Sequence, residues 1–347
     1  MSKTNLLGYT ETELEELMTT LGEKPYKGRQ LFTWLYKVRQ YDFDLMSDLS
    51  GKLRKKLEAD YTFDNLKADH IAQSVDSTRK YLFQLPDGHP MEAVLIPDDS
   101  SGRMTLCVSS QAGCALGCHF CATGTLGLLR DLTVGEIVGQ LMFVRDEQGE
   151  NAFTNIVFMG MGEPLNNFNN VVEAVKIISA GNGLSLAAKK VTISTSGISP
   201  KIIKMADLGL KARLAVSLHA ATQEKRERIM PVAKTFKLEK LMEAIRYYTD
   251  KTRTRVTFEY ILFKDFNDGM EDIKALANLI RGIPCKINIL AYNPVPGLDF
   301  ERPSDEKVDW FGKQLYPRAP AVTVRKSRGL DIDAACGQLA AKKLARS

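Results

Sequence analysis

The sequence lacks the features that mark secreted and membrane-embedded proteins. No stretch approaches the roughly 18 consecutive apolar residues that a membrane-spanning helix requires. The first residues, MSKTNLLGYTETELEELM, turn acidic where a secretion signal needs an apolar core. The sequence also has no internal repeat and no low-complexity segment. These absences predict a cytoplasmic protein that does not associate with membranes.

Neither sign of charge is in large excess, and the composition is ordinary. Hydrophobic residues make up 44% of the sequence and charged residues 26%, which argues against long disordered segments. The net charge of +5 permits a polyanionic partner without requiring one, because dispersed Lys and Arg usually mark only a solvated surface. A length of 347 residues suits one α/β barrel of roughly 200–250 residues with a small additional domain.

Cysteine is scarce outside one segment. Four of the six cysteines fall between Cys107 and Cys121, whereas Cys285 and Cys336 stand apart. A disulfide framework is not expected in a reducing compartment. The clustering therefore indicates metal or redox chemistry.

Residues 1–62 predict a small helical domain. Thr10 and Glu13 have the spacing of a capping box, and apolar residues then recur at helical intervals. Two further short amphipathic helices are predicted after it. Between residues 24 and 56 there are nine Lys and Arg against three Asp, so the domain is locally basic. That excess fits either a solvated helical face or a surface that contacts RNA.

The remaining sequence predicts a larger α/β domain. Residues 63–99 contain a predicted β-hairpin, around Pro86-Asp87-Gly88, that links the two parts. Residues 100–332 alternate strands with helices, which indicates a parallel sheet, either open or closed into a whole or partial barrel. Residues 333–347 form a C-terminal segment. The predicted strands span residues 104–110, 154–160, 189–195, 212–218, 255–263, 286–292 and 321–326.

Distinctive short motifs lie at the ends of five predicted strands. They are residues 114–121, Gly160-Met161-Gly162-Glu163, Ser194-Thr195-Ser196-Gly197, Ser217-Leu218-His219 and Asn293-Pro294. Parallel α/β folds place their active sites at the C-terminal ends of strands, so these loops are expected to face one cavity. Taken singly, each motif has a plainer explanation, since glycines shape turns and a lone histidine is usually a core residue. Their coincidence predicts a shared site.

Cys114, Cys118 and Cys121 offer three thiolates at spacings of four and three residues. Glycines before and within this loop allow it to curl, so three soft ligands can converge on one metal centre. A structural zinc site normally has four protein ligands, and His119 is awkwardly placed beside Cys118 to be the fourth. An iron–sulfur cubane held by three cysteines would leave one iron open. The pattern favours the cluster over zinc and over unligated thiols.

The cysteine loop and several longer blocks together resemble a known family. The blocks are TLCVSSQAGCALGCHFCATG (105–124), FMGMGEPLNN (158–167), STSGISP (194–200), SLHAATQEKRERIMP (217–231), PCKINILAYNPVPG (284–297) and RGLDIDAACGQL (328–339). They are similar, over nearly the whole chain, to RlmN, bacterial RNA adenine methyltransferases of the radical S-adenosylmethionine superfamily. The resemblance implies an α/β fold with a partial (β/α)6 TIM-like barrel over residues 100–332 and a small N-terminal helical domain.

The resemblance also implies cofactors and the residues that bind them. Cys114, Cys118 and Cys121 would hold a [4Fe-4S] cluster whose open iron chelates S-adenosylmethionine. Gly162 and Glu163 would hold the amino end of that cofactor. The rest of the cofactor pocket would comprise Ser194, Ser217, Leu218, His219 and Asn293.

Three further residues would act on the substrate. Carbon 2 of adenine is electrophilic, so it cannot attack a methyl sulfonium directly. The resemblance implies that Cys336 first becomes S-methylcysteine, and that a deoxyadenosyl radical converts this methyl group into a methylene radical that adds to the ring. Glu92 would accept the carbon 2 proton, and Cys107 would release the product through a transient disulfide with Cys336. From the residues alone, Cys336 fits a buried inert thiol, Glu92 an exposed hairpin carboxylate, and Cys285 a packing residue.

The family acts on one adenine of 23S rRNA near the peptidyl-transferase centre and on adenine 37 of tRNA, so these RNAs are the expected partners. Arg325, Lys326 and Arg328 would grip phosphates without reading sequence. A low-potential electron donor such as flavodoxin and a monomeric state are also expected. Two alternatives stay open. One is Cfr-type methylation of carbon 8 of the same rRNA adenine, and the other is a zinc-stabilised, non-enzymatic ribosome-assembly factor.

Overall fold

The computed structural model describes residues 3–98 and 101–339, so residues 340–347 of the predicted C-terminal segment lie outside the described residues. The strands are β1 (Thr4–Asn5), β2 (Tyr61–Thr62), β3 (Ala68–Gln73), β4 (Arg79–Gln84), β5 (Pro90–Asp98), β6 (Arg103–Cys107), β7 (Gln111–Gly113), β8 (Leu128–Asp131), β9 (Asn155–Phe158), β10 (Val191–Thr195), β11 (Arg213–Ser217), β12 (Val256–Leu262), β13 (Cys285–Ala291) and β14 (Val322–Arg325). The α-helices are α1 (Glu11–Thr20), α2 (Tyr26–Phe32), α3 (Gly51–Asp60), α4 (Ala122–Thr125), α5 (Val134–Gln148), α6 (Phe168–Ser179), α7 (Ser199–Asp207), α8 (Gln223–Ile229), α9 (Val232–Thr235), α10 (Leu238–Thr252), α11 (Met270–Leu279) and α12 (Asp305–Leu315).

Ten strands form one open sheet in the order β14-β13-β12-β11-β10-β9-β6-β5-β4-β3. The seven strands from β6 to β14 in this sheet are parallel, and the other three are antiparallel. Each of the first six parallel strands is followed by at least one helix before the next parallel strand begins. The predicted α/β fold with a partial (β/α)6 barrel is confirmed.

The predicted hairpin is present in β4 and β5, but residues 63–99 do more than connect two parts. β3 adds a third antiparallel strand, and β5 pairs with β6, with Val94 opposite Cys107. The hairpin therefore continues the main sheet. The hairpin strand β5 therefore lies directly beside β6, the first of the parallel strands.

The N-terminal helices pack directly on the α/β domain. The predicted capping box of Thr10 and Glu13 begins α1. A Cβ on Gly8 would lie 2.3 Å from the backbone nitrogen of Gly135 in α5, so the two backbones meet at a point where only glycine fits. Leu14 belongs to the same apolar core as the strands. Residues 1–62 therefore share one core with the rest of the described chain.

Alternation along the parallel strands separates an apolar face from a polar one. Ile193, Val216 and Ile289 point into the main core, which the helices cover. The residues between them, such as Ser194 and Ser217, must point to the opposite face, because successive side chains of a strand alternate. That inner face holds Ser194 and Ser217, two of the predicted site residues. None of the described helices combines the length and apolar composition needed to cross a membrane.

Candidate active site

The predicted metal-binding cysteines lie in a loop between the two strands of a small antiparallel sheet, β7 and β8. The Cys114 N–H donates to the Gly127 carbonyl at 2.8 Å, and the Cys121 N–H donates to the Cys118 carbonyl at 3.1 Å. Gly113 has a φ of 76°, and a Cβ there would lie 2.0 Å from the Gly127 oxygen. The start of the loop therefore requires glycine, as the sequence suggested.

The three thiols are partly buried and close enough to perturb one another. Burial, with smaller effects of Cys121 and Glu163, raises the pKa of Cys114 to about 12. Burial also raises the pKa of Cys118, and the neighbouring Cys121 and Cys114 add to this. A positively charged metal centre would bind these groups as thiolates, because coordination stabilises deprotonated sulfur.

The cysteine loop offers three thiols as donors to a metal centre. Within residues 3–98 and 101–339, no group of three or more His, Cys, Asp or Glu side chains is arranged to hold one metal ion. An iron–sulfur cubane takes one cysteine for each iron, so three thiols would leave one iron open. The Nδ1 of His119, considered as a fourth zinc ligand, lies 2.8 Å from the Arg228 carbonyl, so its Nε2 is the atom that could bind a metal ion. Three convergent thiols on one loop fit such a cluster.

Glu163 lies beyond β9 and is fixed in position by its neighbours. Its Oε2 accepts hydrogen bonds from the Ser196 N–H at 2.7 Å and the Ser196 hydroxyl at 2.8 Å, and its Oε1 accepts from the Leu165 N–H at 3.0 Å. Burial raises the pKa of this carboxyl. Gly162 has a φ of 99°, and a Cβ there would lie 2.5 Å from the Cβ of Gln111. A buried carboxylate beside the cysteine loop suits an ammonium group, which would offset the cost of burying its charge.

The other predicted pocket residues lie where β10 and β11 end. Ser194 is buried on the inner face of β10, and Ser217 is the last residue of β11. Leu218 is fully buried in the main core, and its N–H donates to the Glu259 carbonyl at 3.0 Å. The side chain of Leu218 is thus occupied in packing. Any role for this residue in a pocket must come from its backbone.

His219 adopts a strained conformation at the centre of the site. Its φ is 55°, a left-handed conformation that is uncommon for non-glycine residues. Its Nδ1 accepts a hydrogen bond from the Ile261 N–H at 3.1 Å, and its ring lies edge-on to Phe120 at 5.0 Å. Burial, with the nearby positive charge of Arg226, lowers the pKa of His219 to about 3. The imidazole is therefore neutral at physiological pH.

Residues 333–339, called the Cys336 segment below, pack against the cysteine loop of residues 114–121 and the helix that follows it. The Ala122 N–H donates to the Gly337 carbonyl at 2.7 Å, and the Thr123 hydroxyl donates to the Leu339 carbonyl at 2.6 Å. Asn293, which follows β13, donates from Nδ2 to the Cys336 carbonyl at 3.1 Å. The structure thus brings the predicted methyl-accepting cysteine next to the predicted cluster loop.

Cys107 and Cys336 are neighbours. Cys107 ends β6 and packs with Ala334 and Leu339 of the C-terminal segment, whereas Cys336 is exposed to solvent. Burial raises the pKa of Cys107, and the adjacent Cys336 thiol raises it further. Both cysteines are free thiols. The Cys336 residue as a whole is exposed, yet burial raises the pKa of its thiol.

Glu92 differs from its expected environment as an exposed hairpin carboxylate. It is 1% exposed, because β5 lies between β4 and β6 and its inner face is covered. Its Oε1 lies 3.3 Å from the Nζ of Lys80. The exposed interpretation was therefore wrong, since Glu92 lies on the covered face of the hairpin.

Comparisons with known proteins agree with this geometry. Two family models match, "Radical SAM superfamily" over residues 108–280 and "Ribosomal RNA large subunit methyltransferase N-terminal domain" over residues 4–62. A probable dual-specificity RNA methyltransferase RlmN from Salinibacter ruber is 46% identical over 94% of this chain and 91% of its own length. The dual-specificity RNA methyltransferase RlmN of Nitratiruptor sp. is 41% identical over 97% of this chain and 98% of its own length. The chain belongs to the RlmN family.

A solved structure supports the same assignment. A radical SAM methyltransferase from Sphaerobacter thermophilus superposes with a TM-score of 0.91 and 40% identity, covering 98% of this chain and 100% of that one. Members of the radical S-adenosylmethionine superfamily use an iron–sulfur cluster and S-adenosylmethionine. The three thiols on the cysteine loop of this RlmN family member fit the first of these cofactors.

Three buried residues of this RlmN-type site had no role predicted for them individually. Gln111 accepts the Glu163 N–H at 2.8 Å, and Ser196 holds the Glu163 carboxylate. Arg226 is fully buried and donates to the carbonyls of Ser196, Ser217 and Leu218. These residues position the strand ends. The available signals were the position of Ser196 in the STSG motif and the positions of Gln111 and Arg226 in the blocks 105–124 and 217–231.

Acid should destabilise the fold through His219. Its folded pKa of about 3 lies below the ordinary value of 6.5, so the unfolded chain binds the proton first. Stability from this residue is complete above pH 6.5 and is lost as the pH falls toward 3, by up to about 1.4 kcal/mol per pH unit. Urea unfolding at pH 7 and pH 5 should show a smaller loss for His219→Gln than for wild type. The exposed His70→Gln control should behave as wild type, and equal losses in all three would contradict the assignment.

Proposed function

We propose that this chain methylates carbon 2 of adenine in 23S rRNA and of adenine 37 in tRNA, in the cytoplasm, with Cys336 as the methyl carrier. The observation that supports this best is the position of Cys336. It is exposed, adjacent to Cys107, and anchored to the cysteine loop by backbone hydrogen bonds of Gly337 and Leu339. A thiol with these neighbours is suited to chemistry with both an incoming substrate and a second thiol.

Cys114, Cys118 and Cys121 would hold a [4Fe-4S] cluster, with Glu163 placed for the amino group of S-adenosylmethionine. When bound, S-adenosylmethionine would supply the methyl group and the 5′-deoxyadenosyl radical. The cluster would give one electron and take it back in each cycle. Electrons would come from a low-potential donor such as flavodoxin. The chain itself would orient the reacting groups and keep water from them.

Cys336 would carry the transferred carbon to the base. Its sulfur would accept a methyl group, and that methyl group would lose one hydrogen to the 5′-deoxyadenosyl radical. The remaining CH2 carbon would then bond to carbon 2 of the ring. A protein–RNA thioether adduct follows, with the adenine held beside the inner face of the sheet. Such a route suits an electrophilic ring carbon, which ordinary methyl transfer does not.

Release would use two residues on neighbouring strands. The Glu92 carboxylate would take the carbon 2 proton. Cys107 would give up its proton and bond to the Cys336 sulfur as the carbon–sulfur bond breaks. The released carbon would keep the electron pair of that bond and take up a proton to complete the methyl group, which leaves a disulfide between the two cysteines. An external thiol would reduce this disulfide. The burial of Glu92 and Cys107 on the face next to the Cys336 segment supports both roles.

The RNA must present an unstacked adenine to the cavity, as enzymes that react at a base require. Arg325 and Lys326 are exposed where β14 ends and leads into the Cys336 segment. They are placed to contact phosphates around the entrance. Phosphate contacts fix position but carry no sequence information, so RNA choice would rest on its folded shape.

The deciding experiment is an anaerobic assay of the reconstituted chain with ribosomal and transfer RNA. Mass spectrometry of the digested nucleosides should show 2-methyladenosine. Detection of 8-methyladenosine in its place would support the carbon 8 alternative. The absence of any methylated adenine would refute both proposals.

Metal content provides a second prediction. Protein purified without air should be brown and hold about four irons per chain, the content of one cubane. Cys118→Ala should lose most of this iron, because two thiols cannot secure the cluster, whereas the packing variant Cys285→Ala should keep it. A colourless protein with about one zinc would instead support the ribosome-assembly alternative.

A further inference from the structure

Lys80 forms a buried ion pair with Glu92. Its Nζ lies 3.3 Å from the Glu92 Oε1, and the two side chains are 14% and 2% exposed. Burying two charges costs free energy unless their geometry is well defined. A buried pair is therefore weak evidence for a stabilising role and calls for a functional explanation. Lys80 has no role in the chemistry described above.

The strand register places Lys80 on the side of the sheet that bears the reacting cysteines. Lys80 pairs with Val94 across β4 and β5, and Val94 in turn pairs with Cys107 on β6. Glu92 lies two residues before Val94 and therefore on the same face. Cys107, Val94 and Ala334 pack together in one small apolar cluster. Lys80 and Glu92 thus lie beside the Cys336 segment.

A second contact ties Lys80 to that segment directly. Its Nζ donates to the Asp333 carbonyl at 3.3 Å, three residues before Cys336. An ammonium has three N–H donors, so it can serve a carboxylate and a carbonyl together. One side chain therefore connects Glu92 with the backbone of the segment that would carry the adduct.

We propose that Lys80 is a positioning residue that fixes the Glu92 carboxylate relative to the Cys336 segment for removal of the adenine carbon 2 proton. In this step the proton moves to a Glu92 oxygen, and the electron pair of the C–H bond stays in the ring. The inference rests on the proposed function. Because proton transfer requires hydrogen-bond reach, a displaced carboxylate slows this step and leaves earlier steps unchanged.

The test uses the holoenzyme and follows each stage separately. Lys80→Met should methylate Cys336 normally, as seen by mass spectrometry of the protein. It should then accumulate covalent protein–RNA adduct on denaturing gels, with product formation lowered about 100-fold, the scale of a misplaced catalytic group. Glu92→Gln should block at the same stage, and Lys80→Arg should recover much of the turnover.

Lys80→Gln is a second variant, since it removes the charge but keeps a donor for the Asp333 carbonyl. It should accumulate adduct as Lys80→Met does. The matched control is Arg79→Met, which removes the neighbouring cation and its ion pair with Glu147 at 2.6 Å on the opposite face. Arg79→Met should turn over as wild type.

Two results would overturn the inference. One is normal turnover by Lys80→Met and Lys80→Gln without adduct. The other is loss of Cys336 methylation in both variants, which would make Lys80 an anchor of the segment. A wild-type enzyme that makes no 2-methyladenosine would instead refute the proposed function, and this arm is measured independently of the variants.

Discussion

Replacing Cys336 with alanine is expected to abolish RNA methylation. In the proposed reaction the carbon that reaches the adenine passes through the Cys336 sulfur, and alanine has no atom that can carry it. Activity should fall below about one-thousandth of wild type, the scale seen when a covalent catalytic residue is removed. Nucleoside mass spectrometry measures the product. The iron content should not change, because the cluster ligands Cys114, Cys118 and Cys121 are untouched.

Cys285→Ala is the matched control for this loss. Cys285 is 3% exposed and packs in the main core under the helices, so its removal deletes a thiol without touching the inner face of the sheet. This variant should keep full methylation and lose some stability through the cavity it leaves. Substantial methylation by Cys336→Ala would show that the methyl group reaches the ring without a cysteine carrier.

The fold was predictable because its signals are local. Alternating apolar and polar residues mark the parallel strands, and helical stretches between them require parallel pairing. The position of the shared site follows from the same rule, since strand ends of a parallel sheet meet at one edge. The loop around Cys114 needs little more than cysteine spacing and glycine. These features depend on residues that are close in sequence.

Features that depend on distant pairing were not predictable. Glu92 was taken as a hairpin carboxylate because its turn signal is visible, whereas the burial of its strand results from pairing with β6. Gln111 and Ser196 hold Glu163 from 52 and 33 residues away in sequence. A polar residue inside a strand gives no sign of which distant carboxylate it will meet. The contacts of Lys80 with Glu92 and Asp333 were not predictable for the same reason.

Replacing Cys107 is expected to trap RNA on the protein. Cys107 lies next to Cys336. In the proposed reaction its sulfur bonds to the Cys336 sulfur as the thioether breaks. Without that thiol the carbon–sulfur bond of the adduct has no partner for its cleavage. Cys107→Ala and the similar-sized Cys107→Ser should both form about one covalent RNA per active chain and then stop. Denaturing gels with labelled RNA measure the adduct.

The response to an external reductant should distinguish wild type from the Cys107 variants. Wild type that lacks an external dithiol should release its first product and then stop with a Cys107–Cys336 disulfide, which thiol–disulfide exchange reverses. The Cys107 variants cannot form this bond, so their adduct should persist when dithiothreitol is added. Peptide mapping under non-reducing conditions identifies the disulfide. Normal multiple turnover by Cys107→Ser would show that another group cleaves the adduct, because a hydroxyl cannot replace a thiol in forming a disulfide.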